Sequence, residues 1–119
     1  MMDFPVDIAF RNMAGSPEVA SRLKLHAEGL GRYYPRIVAC RVTIEEQASR
    51  HRKGKLFNIR IAIAIPGREI VVEHAHAHRV THNDFRLAER DAFSAARRQL
   101  QDIVRSRRLK TVDKQSDAE

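Results

Sequence analysis

Residues 56 to 65 read LFNIRIAIAI, and with Phe57 their large apolar side chains fall at every second position: Phe57, Ile59, Ile61, Ile63 and Ile65. A strand sends successive side chains to opposite faces, so this period of two builds one apolar face; a helix, with 3.6 residues per turn, would scatter it. The β-branched isoleucines favour the same conformation. Pro66-Gly67 follows at once. Proline pre-sets the backbone for the first central position of a type II turn and glycine supplies the positive φ of the second, so a strand from Glu69 to about Ala75 is expected to return antiparallel. Whatever else this chain does, it must cover one face of a sheet.

The remaining segments supply the cover. Val6, Ile8 and Phe10 alternate with Asp7, Ala9 and Arg11 as a first strand. Ser16-Pro17-Glu18 is a helix start: a capping hydroxyl, a proline whose missing N–H does no harm, and a carboxylate near the positive end of the helix dipole. Val19, Leu23, Ala27, Leu30 and Tyr34 make its apolar stripe, and Gly29, Gly31 and Pro35 bring it to a close. Val38, Cys40, Val42 and Ile44 alternate as another strand, and Gln47 to Gly54 reads as a loop. A second helix is expected from Asn83 or Asp84, with Phe85, Ala88, Ala92, Phe93, Ala96, Leu100, Ile103 and Val104 on one broad arc. The order β-α-β-β-β-α, with one apolar sheet face and two amphipathic helices, implies an α+β two-layer sandwich: a four-stranded sheet with both helices on one face. At 119 residues the chain is one domain, expected to span residues 1–110, with a polar, disordered tail at 111–119.

Lys plus Arg number 22 against 15 Asp plus Glu, and the tail carries one lysine against three acids, so the +7 total understates the charge on the body. Such a balance suits a polyanionic partner. Candidate RNA-binding residues are Arg22, His26 and Arg32 on or after the first helix, Arg86, Arg90, Arg97, Arg98, Arg105 and Arg108 on the second, and Arg50, Arg52 and Lys53 in the loop. Aromatic residues make up only 6% and no strand carries an RRM-like aromatic signature. Shape and backbone recognition of structured RNA is therefore expected ahead of base stacking. A single cysteine permits no internal disulfide, and no signal-like or membrane-spanning apolar run is visible, so the cytoplasm is the expected compartment and no membrane is involved.

Three features invite other chemistries. His74, His76 and His78 alternate, with His82 beyond, and could offer imidazoles to zinc or nickel. They also continue the inward register of Ile70 and Val72, so the end of a strand is the preferred reading and no metal site is assigned. Glu89 lies inside the apolar arc of the second helix and needs a partner or must protonate; His74 or His76 is the expected partner. Cys40 falls in the apolar register of its strand and reads as a core thiol. No nucleophile, phosphate loop or second carboxylate accompanies Glu89, so neither an enzyme, a catalytic residue, a cofactor nor a small-molecule substrate is expected.

Three stretches, HAEGLGRYYPRI (26 to 37), GKLFNIRIAIAIPGREIVV (54 to 72) and HNDFRLAERDAFSAARRQL (82 to 100), resemble the ribosome hibernation factors, the hibernation promoting factor and ribosome-associated inhibitor A family, from Val6 to about Arg108. The resemblance implies the same β-α-β-β-β-α fold and a non-enzymatic protein, a monomer off the ribosome. Its expected partners are the small ribosomal subunit and the intact ribosome. There its basic helices would lie on rRNA at the mRNA/tRNA decoding region, blocking translation and preserving idle ribosomes. Among the family's basic positions it points to His26, Arg32, Arg90, Arg97 and Arg98. Ending nine residues after Lys110, the chain resembles the short type, which has no C-terminal ribosome-pairing domain. It departs from the family's usual residues at Gly29, Arg86 and Glu89. A general structured-RNA module or RNA chaperone shares the charge and much of the element order, and a histidine metal-binding protein is the lesser alternative.

Overall fold

The alternating run becomes the interior of a four-stranded sheet in the computed structural model, which describes residues 4–48, 55–76 and 82–117. In chain order the elements are β1 (Val6–Arg11), α1 (Pro17–Gly29), a 3-10 turn (Leu30–Arg32), β2 (Ala39–Ala48), β3 (Lys55–Ile65), β4 (Arg68–His76) and α2 (His82–Asp117). The strands lie in the order β1-β2-β3-β4. β1 runs parallel to β2, with α1 as the crossover that a parallel pair requires, and the other two pairings are antiparallel.

Register aligns the apolar positions into rows across the sheet. Ile8 stands opposite Val42, Val42 opposite Ile61, and Ile61 opposite Val72. A second row joins Val6, Cys40, Ile63 and Ile70. Onto this face α1 packs Leu23 and Ala27, and α2 packs Ala88, Ala92, Ala96 and Leu100, all buried. The alanines leave little side chain between α2 and the strands, so the large volume of the core comes from the sheet. The turn between β3 and β4 has the expected chemistry, with Gly67 at φ +84°. Ser16 caps α1 by accepting the Val19 N–H at 3.3 Å, with Pro17 in the first turn.

Cys40 is a core residue, as its register implied. Burial pushes its thiol up from 9.0 to about 12. Because the folded value is raised, the protonated thiol's stabilisation is complete below pH 9 and is lost as pH rises toward about 12. The slope from this group approaches about 1.4 kcal/mol per pH unit. Urea titrations at alkaline pH should show a shallower loss of stability in Cys40→Ala than in the wild type; equal slopes would contradict a buried thiol.

Several boundaries differ from the sequence reading, each for a local reason. Val38 is 56% exposed, because it lies just ahead of β2, where side-chain alternation does not yet hold. Gln47 and Ala48 belong to β2, not to the loop: the ladder continues until Ala48 meets Lys55. Residues 49–54, with Arg50, Arg52 and Lys53, lie outside the described residues. α2 begins at His82, slightly before Asn83, the ordinary scatter of a helix end. It also continues to Asp117, through the segment expected as a disordered tail, since residues 111–117 contain neither proline nor glycine to stop it. Among the described residues no helix is long and apolar enough to cross a membrane.

Candidate nucleic-acid interface

Where α1 and α2 run beside each other, the structure resolves the question that Glu89 poses. Glu89 is 2% exposed, and the partners described for it lie on α1 rather than at the end of β4. Arg22 on α1 reaches across: its Nε donates to Oε1 at 3.1 Å and Oε2 at 3.0 Å, and its Nη2 donates to Oε1 at 3.0 Å. His26 Nε2 lies 3.0 Å from Oε2. The sequence looked for the partner on β4, whereas the described contacts of the carboxylate come from α1; the side chain of His76 lies outside the described residues. A signal was available: Arg22 and His26 are four residues apart and flank the α1 stripe, so both point along one helix face. The carboxylate in turn stabilises the charged guanidinium, raising the Arg22 pKa mainly through the hydrogen bonds.

Above this buried latch a groove opens between α1, the 3-10 turn and α2, with a volume of about 350 Å³. His26 links the two. Its ring stacks on Phe93 of α2 with centroids 5.2 Å apart and planes 22° from parallel. Opposite, the Arg97 guanidinium sits 5.3 Å from the centre of the Tyr33 ring, and its Nη1 donates to the Tyr33 hydroxyl at 3.5 Å. Arg32 and Arg90 also line the groove, together with Leu25, Gly29, Leu30 and Ser94, so among the described residues no acidic side chain borders it. Gly29 has helical angles, φ −63° and ψ −22°, so its backbone does not require glycine. In a helix glycine costs about 1 kcal/mol relative to alanine.

The expected RNA-binding residues thus separate into distinct places. Arg32, Arg90, Arg97 and His26 converge on the groove. Arg86 is exposed and falls within about 40° of Arg90 and Arg97 on the α2 surface, extending their row. Arg98 and Arg105 are exposed about 80° further round the helix. Arg22 is turned inward onto Glu89, with its side chain 28% exposed. The side chain of Arg108 lies outside the described residues, as do the loop cations. So do residues 77–81 of the histidine run; among the described residues no group of three His, Cys, Asp or Glu side chains is placed to hold a metal.

Residues 6–108 match the family model described as sigma 54 modulation protein / S30EA ribosomal protein. No curated protein matches the chain. Among solved structures, the Thermus thermophilus Protein Y N-terminal domain is similar in fold, with a TM-score of 0.63 at 17% identity, over 86% of this chain and 99% of that one. A ribosomal subunit interface protein from Coxiella burnetii is similar too, with a TM-score of 0.62 at 11% identity, over 84% of this chain and 97% of that one.

Proposed function

The chain belongs to the sigma 54 modulation protein / S30EA ribosomal protein family, and from that premise we propose that it is a ribosome-associated translation inhibitor whose α1–α2 face binds small-subunit rRNA at the mRNA/tRNA decoding region. The observation that carries the reading is the convergence of Arg32, Arg90 and Arg97 on one groove that no acidic side chain borders among the described residues, continued by Arg86 along α2. Arginine is suited to such a surface because its planar fork donates two hydrogen bonds to one phosphate and remains charged at any physiological pH. The buried Glu89 does not weaken the field, since Arg22 takes up its charge.

Inhibition here is by occupancy. A protein lying where mRNA and tRNA would sit needs no reaction, acts in the cytoplasm and leaves the idle ribosome intact when it departs. Purified protein sedimented through a gradient with small subunits, large subunits and intact ribosomes should travel with the first and third. In a cell-free translation system it should lower initiation, and excess mRNA with initiator tRNA should restore it. Inhibition that persists after the protein is washed away would count against occupancy. Equal affinity for any naked RNA duplex would favour a general structured-RNA module instead.

A further inference from the structure

We infer that the groove between α1 and α2 accepts an unpaired nucleotide of RNA, its base lying in the groove and its phosphates on the bordering arginines. This rests on the RNA-binding reading above and changes its mode: the protein recognises an unstacked base as well as a phosphate backbone. Composition points the other way, because aromatic residues are few, but folding gathers two of them, Tyr33 and Phe93, with the His26 imidazole at this one place.

The groove is lined by planar groups. Phe93 carries His26 on its face, and Tyr33 carries the Arg97 guanidinium, and the outer member of each pair is exposed. Imidazole, phenol and guanidinium planes are the surfaces on which unpaired bases stack. The His26 ring is also held from behind by its contact with Glu89, so its plane is set before a ligand arrives. A volume of about 350 Å³ is at the small end of ligand sites, large enough for one base and its sugar and too narrow for a duplex.

Gly29 supplies the independent observation. It lines the groove in helical conformation, and a Cβ built there would meet nothing within 4 Å. Neither backbone angles nor packing explains a glycine at a position where alanine would make a better helix. Room in the groove does explain it. A side chain at residue 29 would take up open space beside His26 and Tyr33 without altering any charge.

The test uses the full chain and fluorescence anisotropy with two RNA hairpins, identical except that one carries a single bulged, unpaired adenosine. The wild type should bind the bulged hairpin roughly tenfold more tightly, the scale of one stacked base. Gly29→Leu should erase that preference while retaining the affinity for the fully paired hairpin and a melting temperature at or above that of wild type. Gly29→Ala, which any helix accommodates, should move in the same direction and guards against misfolding of the larger variant. Equal binding of the two hairpins by wild type, or an undiminished preference in both variants, overturns the inference. So does adenosine monophosphate binding as tightly as the bulged hairpin, which would assign the groove to a free nucleotide. Absence of the wild type from small-subunit fractions, with the preference for the bulge intact, would instead sink the ribosomal reading and leave the groove's ligand standing.

Discussion

Replacing Arg22 with methionine should cost about 3 kcal/mol, the lower end of what removing one partner of a buried ion pair costs, since the guanidinium keeps some contact with solvent. The loss arises less from the missing attraction than from what stays behind: Glu89, only 2% exposed, would keep, among the described residues, only the His26 contact. The converse change should be milder. In Glu89→Leu the orphaned group is Arg22, whose side chain is 28% exposed and long enough to swing its charge into water. The double variant Arg22→Met with Glu89→Leu should recover most of the stability, because a well-packed apolar pair often matches a buried salt bridge. Urea unfolding of the four proteins gives the coupling directly. If Arg22→Met and Glu89→Leu cost the same and their effects simply add, the two residues do not form the latch described.

Reversing the charge of Arg90, Arg97 and Arg98 together should abolish ribosome binding at physiological salt while leaving the helix content of the protein unchanged by circular dichroism. Hydrogen bonds to charged groups contribute about 1.5 to 3 kcal/mol each, so even partial loss at three positions lowers affinity by on the order of a hundredfold or more. Replacing the same residues with glutamine should also flatten the dependence of log affinity on log salt by roughly one unit per lost phosphate contact. Arg98 points away from the groove, so dividing the set separates the groove from the outer surface: the Arg90 and Arg97 pair should account for most of the loss. Co-sedimentation unaffected by the triple reversal would remove α2 from the proposed interface.

The two predictions draw on parts of the molecule that were legible to different degrees. Arg90 and Arg97 could be placed on one line from the sequence, with Arg98 beside it, since 100° per residue along one helix fixes their relative directions. Arg22 was equally visible as a cation beside the α1 stripe, and reading it as an RNA contact was reasonable until its partner was known. Its role as the counter-charge of Glu89 depends on how two helices cross.

By itself, the sequence determined the type and order of the elements, which depend on neighbours along the chain, though not every element end. The alternation from Phe57 to Ile65, the Pro66-Gly67 turn, the Ser16 cap and the apolar arc of α2 are local patterns, and each produced the element expected of it. It also established that Glu89 required a partner or a proton, because a bare carboxylate is costly to bury on an apolar arc. What the sequence lacked was the address. Arg22 and Glu89 are 67 residues apart, and Tyr33 and Arg97 are 64 apart. No periodicity spans such distances; these pairs exist only because β1, α1 and β2 wind so that α1 comes to lie beside α2 over the same sheet. The groove, its stacked rings and the space at Gly29 are products of that juxtaposition, and only the tertiary structure could decide them.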